Sequence, residues 1–201
     1  MLKRIDKFAV SVLIMVAMLM LGGCGKSSEQ VALIDSLPEI DFDTDYPVGP
    51  ITPGITITQS FVSGCDEITD FELYGATYKR QNTAILEVRL MVLEEAGQTE
   101  GAELAHFTID SSKMEDNAVI TFALNADKEN SSCIIDSNID ATLNKKLMNR
   151  PCLIEITTSD GIPDECPTLW MTEENIYDDG AFGMDGYEMY NDLWFQVNGM
   201  R

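Results

Sequence analysis

One heptapeptide, Ala76-Thr77-Tyr78-Lys79-Arg80-Gln81-Asn82, gathers the side chains best suited to recognition chemistry. Tyr78, Arg80 and Asn82 stand at alternate positions, so an extended backbone puts them on one side. They would supply a flat apolar ring, a forked guanidinium donor and an amide. That set suits a sugar, whose C–H face lies on an aromatic ring while its hydroxyls need planar polar partners. The same groups also suit a structural role, pinning a strand end and its loop. Trp170, in Cys166-Pro167-Thr168-Leu169-Trp170, reads either as core or as a second platform. Trp194 reads as outward-facing, because Leu193 and Phe195 claim the inner side of its strand. An outer tryptophan needs a covering loop or a ligand. Tyr78, Arg80, Asn82, Trp170 and Trp194 are therefore the candidate binding residues.

Other chemistries find less support. His106 is the only imidazole, and no G-x-S-x-G is present, so nucleophilic catalysis is disfavoured. Carboxylates are too numerous to single out a glycosidase pair. The chain therefore reads as non-enzymatic. Asp41, Asp43 and Asp45 alternate like the start of an EF-hand loop, but Tyr46 stands where glycine is needed and Thr52 where glutamate is needed. Asp178, Asp179 and Asp185 are weak candidates for a structural Ca²⁺, and no other cofactor is expected; the alternative is an acidic surface loop. Cys65, Cys133, Cys152 and Cys166 lack zinc spacing and suit two disulfides in an oxidising compartment. Cys65–Cys166 with Cys133–Cys152 is the preferred of the three pairings, and free buried thiols are the alternative.

The N-terminus supplies an address. Lys3, Arg4 and Lys7 precede a 14-residue apolar run from Phe8 to Leu21. A spanning helix needs roughly 17 to 25 residues. Leu21-Gly22-Gly23-Cys24 then reads as a lipobox. Residues 1–23 are expected to be a lipoprotein signal peptide, with Cys24 carrying acyl chains as the lipid anchor. The expected location is the extracytoplasmic face of a bacterial cell membrane. Cleavage there removes three cations and one acid, so the formal charge moves from −21 to −23. Such acidity repels nucleic acid and anionic headgroups.

The elements that must position these residues follow. Residues 24–50 read as a lipidated tether and an acidic, proline-broken, flexible linker. From Ile51 the pattern has period two. Inward rows are Ile55, Ile57 and Phe61; Phe71 and Leu73; Leu86, Val88, Leu90 and Val92; Phe107 and Ile109. Further rows are Ile120, Phe122 and Leu124; Cys152, Ile154 and Ile156; Leu193, Phe195 and Val197. About eight short strands over 51–201 predict an all-β fold, an antiparallel β-sandwich of jelly-roll-like kind. One short helix is expected over 139–148, and a long loop over 173–192.

The order Gln59-Ser60-Phe61, Ala76-Thr77-Tyr78-x-Arg80-x-Asn82, Asp116-Asn117 and Leu169-Trp170 resembles the galactose-binding-like jelly-roll modules of bacterial cell-surface and membrane proteins. The resemblance covers about residues 51 to 172. It implies a β-sandwich, with Gln59, Tyr78, Arg80, Asn82 and Asn117 at pattern positions, and it transfers fold better than ligand. The four cysteines and the late Tyr/Asp-rich loop depart from the pattern. The expectation is a lipid-anchored binding module for carbohydrate or another envelope component. The alternative is a protein-interaction or structural lipoprotein that docks to a membrane partner.

Overall fold

The computed structural model describes residues 30–32 and 40–201. Residues 1–29 and 33–39, which include the expected signal peptide and the expected anchor Cys24, lie outside the described residues. Among those described, no helix is long and apolar enough to cross a membrane.

Two antiparallel sheets form a β-sandwich. The six-stranded sheet contains β1 (Gln30–Ala32), β2 (Tyr46–Pro47), β4 (Glu67–Ala76), β7 (Ala118–Ala123), β10 (Thr168–Met171) and β13 (Phe195–Met200). The seven-stranded sheet contains β3 (Ile57–Val62), β5 (Ile85–Val92), β6 (Ala102–Asp110), β8 (Ile134–Ile139), β9 (Pro151–Thr158), β11 (Phe182–Met184) and β12 (Tyr187–Glu188). Its order is β12-β11-β3-β9-β5-β6-β8. In the other sheet β4 is the axis. β7 covers one edge of it, while β13 and then β10 share the other.

The period-two rows face the space between the sheets. Leu86, Val88 and Leu90 of β5 are fully buried, against Phe107 of β6 and Ile154 and Ile156 of β9. Phe71 and Phe122 stack at 4.4 Å across the β4–β7 pair, and Phe107 meets both edge-on from the opposite sheet. This trio joins the two layers at the centre of the core.

The structure corrects four sequence-based expectations. More than eight strands form; the additions are mainly short edge pieces and β8. No helix forms over 139–148. Asp140 instead accepts from the N–H and hydroxyl of Thr142, and Lys146 and Asn149 take left-handed φ of 58° and 62°. Parts of the supposed linker belong to the sheet. β1 pairs with β13, β2 pairs with β10, and the N–H groups of Val48 and Ile51 donate to Leu169 and Pro167. Lastly, all four cysteines are free, buried thiols. Cys65 and Cys152 lie at the Glu67/Pro151 end of the sandwich, whereas Cys133 and Cys166 lie toward the Asp110/Ala76 end. Each preferred pair would join opposite ends, beyond the reach of a disulfide. Burial pushes all four thiols up, Cys152 to about 12.

A buried carboxylate closes the late loop. Asp192 accepts from the Gln59 amide at 3.0 Å and from the N–H groups of Ile176 and Tyr177 at 2.8 and 2.9 Å. Gln59 Oε1 in turn accepts from the Leu193 N–H at 2.8 Å. Burial pushes the Asp192 carboxyl up despite these donors. Gln59, one of the residues in the resemblance pattern, is thus fully buried and structural.

Phe71→Ala is expected to cost about 3–5 kcal/mol in urea unfolding, against about 0.5 kcal/mol for the exposed Val119→Ala. Asp192→Ala orphans buried donors and is expected to cost about 1–3 kcal/mol. In hydrogen exchange it should speed the Ile176 and Tyr177 amides selectively.

Candidate functional site

Tyr78 and Lys79 do not continue the strand. Their φ angles are 56° and 55°, and the Arg80 N–H donates back to the Thr77 carbonyl at 3.1 Å. This is a type I′ turn, which ordinarily takes Asn-Gly because both central residues are left-handed. A single carboxylate holds it. Asp116 Oδ1 accepts from the Thr77 N–H at 2.7 Å, the Thr77 hydroxyl at 2.9 Å and the Lys79 N–H at 3.3 Å. Burial pushes the Asp116 carboxyl up, but these donors outweigh it and hold the group below its usual range.

Asn117 is also left-handed, at φ 54°. Its carbonyl accepts from the Tyr74 hydroxyl at 2.7 Å, and its Oδ1 accepts from the Trp170 indole at 3.1 Å. One asparagine therefore orients two aromatic side chains.

These groups surround a cleft of about 330 Å³. Tyr78, Trp170, Pro47 and Ala76 supply its apolar walls. Lys79, Asp116 and Asn117 supply charge and hydrogen bonding. Three of the six described non-glycine residues with positive φ line this one cleft. Strain concentrated in this way is a mark of functional surfaces.

The five candidate residues separate. Tyr78 is partly exposed and lines the cleft. Trp170 lines it too, but is otherwise covered, with the Phe42 ring edge-on at 5.1 Å. Arg80 folds back over Tyr78, its guanidinium 4.6 Å from the ring centroid. It also meets Asp164 at 3.4 Å and donates to the Pro163 and Cys166 carbonyls, so it ties this turn to the neighbouring one. Asn82 is only 1% exposed, and its amide donates to the Thr77 carbonyl. The expected row fails because the turn reverses the chain between Tyr78 and Arg80. Trp194 lies on the outer face of the six-stranded sheet, 5.3 Å from Tyr74, which itself reaches Asn117. Both tryptophans thus belong to one aromatic strip on one sheet.

Sequence reasoning missed Lys79, Pro47 and Tyr74 as site residues, and gave Asp116 a place in the resemblance pattern but no role. Nothing in Tyr78-Lys79 signals a type I′ turn, since neither residue favours positive φ.

Other candidate groups lie elsewhere. Asp185 Oδ1 accepts from the Thr56 N–H at 2.9 Å, and among the described residues no three His, Cys, Asp or Glu side chains converge to hold a metal ion. His106 faces outward on β6 and bonds Glu87 at 2.7 Å. A larger cleft of about 860 Å³ lies at the opposite end, where Glu94 and Glu100 offset Lys145 and Arg150; no aromatic side chain lines it.

No protein-family model matches the chain, and no curated protein matches it.

Because the folded pKa of Asp116 is lowered, its contribution to stability is present at neutral pH and is lost as pH falls through that folded value, below about pH 4. Asp116→Asn keeps the Oδ1 acceptor and removes the titration. Urea midpoints measured from pH 6 to pH 2 should fall less steeply for Asp116→Asn than for the wild type.

Proposed function

We propose that the protein is a lipid-anchored extracytoplasmic binding module that takes a carbohydrate unit in the Tyr78–Trp170 cleft. The reading rests most directly on the turn at Tyr78. A left-handed tyrosine costs about 1–2 kcal/mol, while a half-exposed cation–π contact such as Arg80 on Tyr78 returns about 0.5–1 kcal/mol. Stability alone therefore favours glycine at this position. A tyrosine held there against that gradient, by an aspartate with three donors, is accounted for by what its ring faces.

The cleft has the composition a sugar needs. Two aromatic rings provide stacking surface, and Asp116, Asn117 and Lys79 present an acceptor, an amide and a donor. Its size, near the lower limit for ligand pockets, fits one terminal unit better than a long chain. The strip continuing through Tyr74 to Trp194 offers a place for a following residue of the glycan. Lys3, Arg4 and Lys7 before a short apolar run and Cys24 support the membrane address.

The test is a screen of glycans and cell-wall fragments against soluble protein lacking residues 1–23 and carrying Cys24→Ser. A reproducible hit is expected, weakened at least tenfold by Tyr78→Gly, which should leave unfolding stability unchanged or slightly raised. Trp194→Ala should weaken oligosaccharides more than a monosaccharide. Absence of any hit from folded protein, or a hit indifferent to Tyr78→Gly, overturns the assignment.

A further inference from the structure

A second surface lies apart from the cleft. Of the ten large apolar side chains that the described residues expose, five gather at the late loop: Tyr46, Ile176, Tyr187, Met189 and Tyr190. Tyr187 and Tyr190 are the most exposed, at 75% and 77%. Tyr46 joins the group because the Asn191 amide donates to its hydroxyl at 2.9 Å. Residues 173–192 also carry seven carboxylates and no lysine or arginine. All of these except the buried Asp192 are exposed.

This surface is rigidly held. Asp192 pins the Ile176 and Tyr177 amides from within, and Asn191 also reaches the carbonyls of Thr172 and Glu173. The Asp185 N–H donates to Thr56, and the Met189 N–H donates to Phe182. Binding here requires little ordering of the loop, which removes a common penalty. β12 is the outermost strand of the seven-stranded sheet on this side, so one row of its backbone groups faces away from the sheet.

We propose that this rim docks a cationic polypeptide, an extended segment carrying lysine or arginine. Rigid tyrosines are favoured binding anchors, and their ring faces attract ammonium and guanidinium groups. The surrounding carboxylates select for positive charge, and the edge of β12 suits the backbone of an added strand. A second copy of this chain, with formal charge −21, is repelled. The proposal is independent of the carbohydrate reading, since no residue of the rim lines the Tyr78–Trp170 cleft.

The experiment is fluorescence anisotropy of a labelled dodecapeptide of alternating lysine and threonine. It uses the same soluble protein at fixed salt, with a glutamate–threonine peptide as control. Binding of the lysine peptide alone is expected. Tyr187→Ala/Tyr190→Ala preserves net charge and truncates exposed side chains, and it should weaken binding at least tenfold. Asp185→Lys/Glu188→Lys should weaken it similarly, whereas Asp127→Lys/Glu129→Lys, an equal charge change at two exposed carboxylates in the turn after β7, should stay within twofold of wild type. No binding of the lysine peptide overturns the proposal. So does wild-type affinity in the tyrosine variant, or an equal loss in the Asp127/Glu129 control, either of which would mark attraction to net charge alone. Circular dichroism verifies folding of each variant.

Discussion

Two strands, not one, cover the β13 side of β4. β13 pairs with its first part, from Glu67 to Leu73, and β10 pairs with Gly75 and Ala76 at its end. The chain leaves this edge after Met171 and must rejoin it at Leu193, and the junction is sealed where Met171 bridges Leu193 and the Trp194 N–H donates to the Trp170 carbonyl. Residues 172–192 are thereby forced out as a loop with closely spaced ends. It does not hang free, although water would satisfy its exposed backbone groups there. It crosses instead to the other sheet, supplies β11 against β3, and buries Asp192 against Gln59. The same junction brings both tryptophans to one sheet. Aromatic strip and acidic rim are two products of one topological demand.

The two surfaces are prepared by different means. At the cleft a short-range device does the work: Asp116 satisfies three donors and keeps an unfavourable turn in place. At the rim a buried carboxylate organises a loop of some twenty residues from the inside. Both devices place an acceptor where backbone N–H groups converge, and both depend on strands far away in sequence for their positions. Lys79 beside Asp116 leaves the cleft locally balanced, whereas the rim is acidic throughout. That difference in charge is why the two proposed ligands differ, a neutral polar one for the cleft and a cationic one for the rim.

The central strands were legible because both of their faces obey a simple rule. Leu86, Val88 and Leu90 alternate with Glu87 and Arg89, and that alternation is the sandwich itself. β8, Ile134–Ile139, was not legible. As an edge strand it is largely exposed, so Asp136, Ser137 and Asn138 give no period. β2 hid for a related reason, since its proline is tolerated only because it lies at an edge. The candidate site was legible in residue type and not in geometry. Tyr78, Arg80 and Trp170 do lie close together, but the type I′ turn assigned them different tasks. Arg80 became a clamp, Asn82 went inside, the turn itself brought Lys79 to the cleft, and Asp116 and Asn117 entered from positions that only the fold brings near. Local patterns cannot report a left-handed tyrosine whose support lies some forty residues away.

The pairing of β1 with β13 sets a limit on reach. Gln30 stands opposite Met200, which stands opposite Glu67, at the end of β4 farthest from Ala76 and the cleft. With Cys24 in the bilayer, as proposed, only residues 25–29 separate the anchor from β1, a span of at most about 20 Å. The ten residues of β4 add about 33 Å. On the proposed anchoring, the cleft reaches at most roughly 50 Å above the membrane. That bound confines the proposed ligand to membrane-proximal envelope material and excludes the outer layers of a wall.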